Sequence, residues 1–301
     1  MRIPRIVLQA GSLAAAIAVT AAASGQIGRG VEIETIRVSG SVYMLVGQGG
    51  NIGVSVGDDG VFLVDDQFAP LTPLILNAIR ELSDQPVRFV VNTHWHGDHT
   101  GGNENLAAEG AVIVAHENVR KRMSTTQFMA AFNRETPAAP EGALPVVTFS
   151  ETITFHWNDD EVRIIHVDPA HTDGDSLVHF VGANAIHMGD LYFSTGYPFI
   201  DTSSEGSLGG VIAAVDRALE LANDETKIIP GHGPLSNPEE LREYRSMLDT
   251  MHGRIQALID EGKSREEVIA AAPSASFDEE WGGGFMKPEQ WVGIVYDGMT
   301  R

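Results

Sequence analysis

The 301-residue sequence contains no cysteine, and its basic residues are scarce. Without cysteine the chain can form no disulfide bond, offer no thiolate metal ligand and use no cysteine nucleophile. Twenty lysines and arginines stand against 41 acidic residues, which gives a formal net charge of −21 at pH 7. A charge of this size repels nucleic acid and anionic membrane surfaces, so neither is expected as a partner.

The amino-terminal residues have the composition of an export signal. A short basic head precedes an apolar stretch over residues 6–22, and small residues follow it. A membrane anchor is the alternative, but polar residues interrupt the stretch and its alanines contribute little hydrophobicity. The sequence therefore predicts a signal peptide over residues 1–23, with cleavage between Ala23 and Gln26. We expect the mature protein in the bacterial periplasm or outside the cell, without stable membrane anchoring.

The remaining residues, 24–301, are predicted to form one domain, because a 43% hydrophobic content supplies a sizeable core. Strand-like patterns over residues 31–65 predict an opening antiparallel meander. Residues 124–145 show no clear pattern and predict a loop that overhangs a site. Helical spacing is found in four segments, Thr72–Leu82, Gly209–Leu221, Pro238–Ile259 and Arg265–Ala271.

The most informative segment places three histidines and one aspartate within six residues. His94, His96, Asp98 and His99 follow the short apolar run Val87–Val91, which predicts a buried strand with a loop at its carboxyl end. Side chains two apart on an extended segment point the same way. His94 and His96 can therefore reach one metal, while Asp98 and His99 turn toward a second centre. Imidazole nitrogen and carboxylate oxygen are ligands that Zn²⁺ takes in catalytic sites.

A lone histidine is usually a surface residue or a hydrogen-bonded core residue. Three histidines and an aspartate in one glycine-flanked loop are hard to place in a core, because each imidazole would need its own partner. The same arrangement of apolar strand, sharp turn and candidate ligand recurs at His171, Asp190 and His232. Loops at one edge of a sheet are where a rigid scaffold gathers functional groups from distant parts of the sequence.

With these residues the sequence resembles the metallo-β-lactamase superfamily. The signature His-x-His-x-Asp-His is complete over residues 94–99, and the later ligands follow in the family's order. The resemblance covers the chain from about Val31 to the helices after Pro238. It implies an α/β (α+β) fold, a four-layer αβ/βα sandwich in which two mixed β-sheets pack face to face and helices cover both outer faces.

The resemblance also implies two zinc ions per chain and a division of the ligands between them. One metal takes His94, His96 and His171, the other takes Asp98, His99 and His232, and Asp190 bridges both. In such a site a hydroxide held between the metals attacks a carbonyl, and Asp98 is the catalytic residue that orients the nucleophile and moves its proton.

The sequence departs from the true metallo-β-lactamases in the region that contacts substrate. Those enzymes usually carry Cys or Ser where this chain has Asp190, which is instead typical of thioesterases and lactonases of the superfamily. Many also place a lysine shortly afterwards, but residues 191–226 contain only one basic residue, Arg217. Lactonases often have a tyrosine three residues after the bridging aspartate, where this chain has Phe193.

These features predict an exported hydrolase of a small-molecule cyclic amide or ester, with β-lactams included. The alternatives are a lactonase or thioesterase of the same fold, and a non-enzymatic metal-binding accessory protein of an exported redox system. The other six histidines are interpreted as packing or supporting residues, with His116 expected nearest to the metals. Phe128, Met129 and Phe132 either line a substrate wall or pack the overhanging loop. The glycine-rich tail 281–285 predicts a lid or a capping arm.

Overall fold

The computed structural model describes Gly28 and residues 30–301. The predicted signal peptide and its cleavage site therefore lie outside the described residues. The strands, in chain order, are β1 (Glu34–Ser39), β2 (Val42–Val46), β3 (Ile52–Ser55), β4 (Val61–Val64), β5 (Val87–Asn92), β6 (Val112–His116), β7 (Gln127–Met129), β8 (Arg134–Thr136), β9 (Val147–Phe149), β10 (Thr152–Trp157), β11 (Asp160–His166), β12 (Ser176–Phe180), β13 (Ala185–His187) and β14 (Lys227–Ile229).

Helices occupy the connections and the carboxyl-terminal third of the chain. They are α1 (Thr72–Leu82), α2 (Gly97–Thr100), α3 (Asn103–Ala108), α4 (Glu117–Met123), α5 (Leu208–Leu221), α6 (Pro238–Asp260), α7 (Arg265–Ala270), α8 (Asp278–Trp281) and α9 (Pro288–Met299). In the described part of the chain, none of them is long and apolar enough to cross a membrane.

Two mixed sheets contain most of the strands. The first has seven strands in the order β1-β2-β3-β4-β5-β6-β9, and the second has five in the order β10 to β14. Strands β1 to β4 pair antiparallel, which confirms the predicted meander. Strands β4, β5, β6 and β9 pair parallel, as do β13 and β14, so their carboxyl ends meet at common edges.

Apolar side chains from both sheets form the centre of the molecule. Phe62 and Val91 of the first sheet meet Ile164 and Phe180 of the second, and all four are fully buried. The Phe62 and Phe180 rings meet edge to face at 6.4 Å, a favoured aromatic geometry. In β4 all four residues are buried, two on each face, because helices cover the outer face of this sheet as well.

The helices form the two outer layers. On the first sheet, Ile75 and Ile79 of α1 pack over the strands, as the spacing of this helix predicts. On the second sheet, α5, α6 and α9 pack around a core that includes Tyr244 and Trp291. The order helix, sheet, sheet, helix is the four-layer αβ/βα sandwich expected from the sequence, which is therefore confirmed.

Two parts of the sequence prediction were wrong or incomplete. The segment 124–145 is not a plain loop, because β7 and β8 form a small antiparallel hairpin in which Phe128 is opposite Glu135. The sequence pattern also gave no prediction for α9, although this helix buries Trp291 completely. Its apolar residues are interrupted by glycine and aspartate, which weakens the helical pattern.

Candidate metal centre

The histidine-rich segment lies where β5 ends at the edge of the first sheet. His94 lies in a bend after the strand and His96 has extended backbone, while Asp98 and His99 lie in α2, a single helical turn. The predicted loop thus contains a short helix, which turns Asp98 and His99 away from the direction of the first two histidines. His94 and His99 are almost completely buried.

The three later candidates come from the edge of the second sheet. His171 lies between β11 and β12, Asp190 follows β13, and His232 follows β14. His171 and Asp190 are buried, whereas the His232 side chain is 30% exposed. The fold thus brings all seven predicted residues together from four separate segments.

Four of these side chains form a first cluster, in which the ligand atoms lie within 4.8 Å of one another. His96 Nδ1 is 3.1 Å from His94 Nε2 and 2.9 Å from His171 Nε2. Asp190 Oδ2 is 3.9 Å from His94 Nε2 and 3.6 Å from His171 Nε2. Three imidazole nitrogens and one carboxylate oxygen therefore converge on one point.

Asp98, His99 and His232 form a second cluster of the same dimensions. His232 Nε2 is 3.4 Å from Asp98 Oδ2 and 3.4 Å from Asp190 Oδ1. His99 Nε2 is 3.0 Å from Asp190 Oδ1 and 3.8 Å from Asp98 Oδ2. Asp190 therefore presents one oxygen to each cluster.

The side chains fit metal ions better than they fit one another. Buried His99 Nε2 and Asp190 Oδ1 are close, yet neither forms a hydrogen bond with any described residue. Buried polar atoms normally have partners, so two unpaired atoms directed at the same point indicate a ligand between them. Nitrogen and oxygen ligands in sets of three or four match the requirements of catalytic zinc.

Most of the imidazoles are also oriented by a hydrogen bond from their other ring nitrogen. His99 Nδ1 donates to Asp65 at 2.7 Å, and His94 Nδ1 donates to the Thr93 hydroxyl at 3.0 Å, which in turn donates to Asp65. His171 Nδ1 donates to the backbone carbonyl of Phe199 at 2.7 Å. Such partners fix the ring and its tautomer, and they are typical of metal-binding histidines.

Asp201 has the same relation to His96, whose Nε2 lies 3.1 Å from an Asp201 oxygen. That oxygen also accepts a hydrogen bond from the Ser204 hydroxyl, and Trp95 Nε1 donates to Ser204. Asp65 and Asp201 are supporting residues that were not predicted from the sequence. The signal at Asp65 was present, because this residue ends the apolar run of β4 as the predicted ligands end theirs.

The two clusters differ in charge. Burial holds the pKa of His94 well below its usual value and lowers that of His171 to about 4, so both rings are neutral. Burial also opposes charge on His99 and His232. There the attraction of Asp190 outweighs it, which raises the pKa of His99 well above the ordinary range and that of His232 to about 9.

The two carboxylates show the opposite shift. Burial would raise the pKa of Asp190, but the charges on His99 and His232 outweigh it and hold the pKa well below the usual value. The pKa of Asp98 falls to about 2, because attraction to His99 and the hydrogen bond from His232 likewise outweigh burial. Both carboxylates are therefore ionised at neutral pH and available as ligands.

The remaining histidines lie outside both clusters. His116, expected nearest to the metals, instead stacks on His166 with ring centroids 3.6 Å apart and contacts the Ser150 carbonyl. His187 is buried and contacts the Asn51 carbonyl. The others are His156, His179 and His252.

Glycine permits the close packing around Asp190. A Cβ at Gly231 would overlap Asp190 Oδ1, and one at Gly50 would overlap the His99 ring.

Behind the metal-binding turn lies a separate cavity of about 320 Å³, lined by Trp95, Gly97, Arg122 and residues of the β7–β8 segment. This cavity does not contain the seven converging side chains.

A family model described as the metallo-beta-lactamase superfamily matches residues 45–232. The match covers more than half of the chain and includes every one of the seven residues. The chain therefore belongs to the metallo-β-lactamase superfamily.

Individual relatives and structures are more distant. The chain is 26% identical over 157 residues to a hydroxyacylglutathione hydrolase of Pelagibacter ubique, which covers 51% of this chain and 56% of that protein. A hydroxyacylglutathione hydrolase of Methylococcus capsulatus is 25% identical over 226 residues, covering 73% and 78%. Among solved structures, a metallo-beta-lactamase from Pontibacter korlensis superposes with a TM-score of 0.60 and 22% identity, covering 72% of this chain and 99% of that one.

The chain spans about half the length of the first curated relatives that it matches. The structural likeness is below 25% identity and shows the fold alone.

Proposed function

We propose that the protein is a hydrolase of activated acyl bonds that uses two zinc ions. The observation that carries this proposal is the position of Asp190, whose two oxygens face two separate clusters of ligand atoms. A carboxylate that only capped a turn would not need three imidazoles on one side and two on the other. His94, His96 and His171 would hold one ion, and Asp98, His99 and His232 would hold the other. Asp190 would be a ligand of both.

Zinc ions bound here would lower the pKa of water toward about 7 and polarise a substrate carbonyl. The protein itself keeps the aspartate ligands ionised, and it fixes the orientation of the ligand side chains. Asp65, Phe199 and Asp201 orient three of the imidazoles through their outer nitrogens. Most of these groups are buried, so water does not compete for their hydrogen bonds.

Asp98 is the residue assigned to proton movement. Its carboxylate is 30% exposed, more than any ligand of the first cluster, and it lies on the open side beside His232. One oxygen can serve as a ligand while the other accepts a proton from the nucleophile and passes it to the leaving group. Its low pKa supplies the ionised form that this role requires.

Thioesters and lactones are proposed as substrates ahead of β-lactams. Asp190 adds a negative charge between the metal positions, which would make bound metals less electrophilic. Such a centre favours carbonyls that are already activated. Two relatives carry the name hydroxyacylglutathione hydrolase, which describes cleavage of an acyl group from a thiol. In residues 191–226 the single basic side chain, Arg217, is exposed and pairs with Glu220, so this segment brings no cation to a drug carboxylate.

Export to the periplasm or beyond is also part of the proposal, and it rests on the amino-terminal sequence.

An accessory metal-binding role is the competing function. It requires tight metal binding without turnover, whereas hydrolysis requires both.

Metal analysis and substrate comparison test the proposal together. The mature protein, loaded with zinc and freed of excess, should contain two metals per chain by elemental analysis. It should hydrolyse a thioester and a lactone with a higher kcat/KM than a chromogenic β-lactam. One metal or fewer after zinc addition would contradict the paired site, and two metals without any turnover would favour the accessory role.

A further inference from the structure

Three phenylalanine rings form a continuous row from the metal centre to the surface. Phe199 is buried, and its ring centroid lies 5.8 Å from that of His96 and 5.7 Å from that of His171. Phe132 follows at 4.9 Å from Phe199, and Phe285 at 5.7 Å from Phe132. We call Phe199, Phe132 and Phe285 the aromatic row.

The outer end of this row is exposed although it is held in place. Phe285 is 69% exposed, one of four large hydrophobic side chains exposed in the described part of the chain. Its neighbour Met286 is fully buried and pairs with Tyr197 in a β-bridge, and Tyr197 N donates to the Trp281 carbonyl. The tail is thus fixed beside the segment that carries Phe199.

Phe132 connects the row to the hairpin of β7 and β8. The hairpin contacts the segment next to Asp201, because Ala130 N donates to the Ser203 hydroxyl. Met129 is buried and Phe132 packs against the same core. Phe128 points to the face of β7 opposite buried Met129, is 52% exposed, and forms no aromatic pair with the three rings among the described residues.

We propose that the aromatic row binds the apolar part of the substrate, an aromatic or bulky hydrophobic acyl group whose carbonyl lies at the metal centre. This inference rests on the proposed hydrolase function and adds the class of acyl group. The row starts at buried Phe199 beside two of the ligand imidazoles, passes partly buried Phe132 and ends in solvent at Phe285, so the exposed ring is connected to the site through the other two. An apolar group lying along it would bury the Phe285 ring, which otherwise remains in water at a cost proportional to its exposed area.

The competing occupants are a second copy of this chain and no occupant at all, with the row serving only to anchor the tail. A second copy would bury the ring by association and make its exposure concentration-dependent. Anchoring alone is supplied by Met286 and Trp281, which are buried, and does not account for a phenylalanine at the exposed position 285.

The test compares the zinc-loaded protein with its Phe285→Ser and Phe128→Ser variants. Two thioesters with the same thiol, one acetyl and one phenylacetyl, are hydrolysed in parallel, and the ratio of their kcat/KM values is taken. Phe285→Ser should lower this ratio by about tenfold, the discrimination available to an apolar pocket. Phe128→Ser should leave the ratio as it is, because Phe128 is an equally apolar exposed ring that is not part of the aromatic row.

A direct binding measurement separates this proposal from the proposed function. Calorimetry with 1-naphthaleneacetate should give weaker binding to Phe285→Ser than to the starting protein and Phe128→Ser, whether or not thioesters are cleaved. If neither thioester is hydrolysed but this difference is present, the hydrolase proposal fails and the apolar site stands. An unchanged ratio and unchanged binding in Phe285→Ser would overturn the inference. So would a change confined to the sedimentation coefficient, which would assign the row to self-association.

Discussion

The Asp201 carboxylate accepts a hydrogen bond from Nε2 of His96 at 3.1 Å, on the side of the ring opposite Nδ1. This contact leaves Nδ1 as the only ring atom that can face His94 and His171. Burial would raise the pKa of Asp201, but the hydrogen bond and charge of His96 outweigh it, and the pKa falls to about 2. Asp201 therefore stays ionised and sets which nitrogen of His96 is available to a metal.

Asp201→Asn should weaken metal retention without unfolding the protein. The amide can still accept a hydrogen bond but carries no charge, so we expect a loss of about 10- to 100-fold in zinc affinity. Competition with a chromogenic chelator measures this, and circular dichroism checks the fold. Asp278→Asn is the control, because Asp278 accepts a hydrogen bond from Tyr197 and has no contact with a ligand imidazole. Equal affinities in both variants would show that Asp201 does not position His96.

Asp190 is the residue on which the paired site depends. Asp190→Asn keeps the shape but removes the charge, so it should lower metal retention at low zinc while the fold persists. Asp190→Ser should lose the shared ligand and shift the substrate ratio toward β-lactams and away from thioesters. Metal content and kcat/KM for the three substrate classes measure these effects. If Asp190 only caps the turn, both variants would keep two metals and lose at most about 1 kcal/mol of stability.

Asp98 and His156 should differ sharply in importance. Asp98→Ala removes a candidate ligand and the proposed proton acceptor, so kcat should fall by about 10²-fold or more. His156 is exposed on β10 and belongs to neither cluster, so His156→Ala should leave kcat nearly unchanged. Steady-state kinetics at saturating zinc compares the two. Similar losses would mean that the wrong groups have been assigned to the metal centre.

Metal uptake should release protons in a pH-dependent way. The pKa of His232 is raised to about 9, because the attraction of Asp190 outweighs burial, so this ring is protonated at pH 8 and must lose its proton to bind a metal. His99 is shifted in the same direction. The number of protons released per chain should therefore fall by about one as the pH rises from about 8 to about 10. Calorimetry in buffers of different ionisation enthalpy measures the number, and a constant value over this range would contradict the assignment.

Most of the candidate metal centre could be predicted from the sequence, because each candidate ligand follows an apolar run. A buried strand is hydrophobic and the loop at its end is polar, so the end of each strand can be recognised. Asp65 follows the same pattern at the end of β4 and could have been predicted from it. Asp201 and Phe199 could not, because they lie in an irregular segment whose position is fixed by contacts such as the bond of Phe199 to His171.

The overhanging segment shows where local patterns fail. Strands β7 and β8 are three residues each, too short for an alternation to be recognised. Their position is fixed by tertiary contacts, among them the ring of Phe132 against Phe199. The aromatic row combines three distant segments in the same way, so no window of sequence contains it.

The seven candidate ligands come from both sheets, four from the loop after β5 and three from loops beside β11, β13 and β14. Metal ions bound among them would join the two halves of the sandwich at one edge, and their binding energy would become folding energy. Free zinc at about 1,000 times its dissociation constant would stabilise the folded chain by about 4 kcal/mol per site. The lifetime of the protein, and not only its activity, would then follow the zinc supply of its surroundings, with the metal-free chain the form that unfolds and is degraded first.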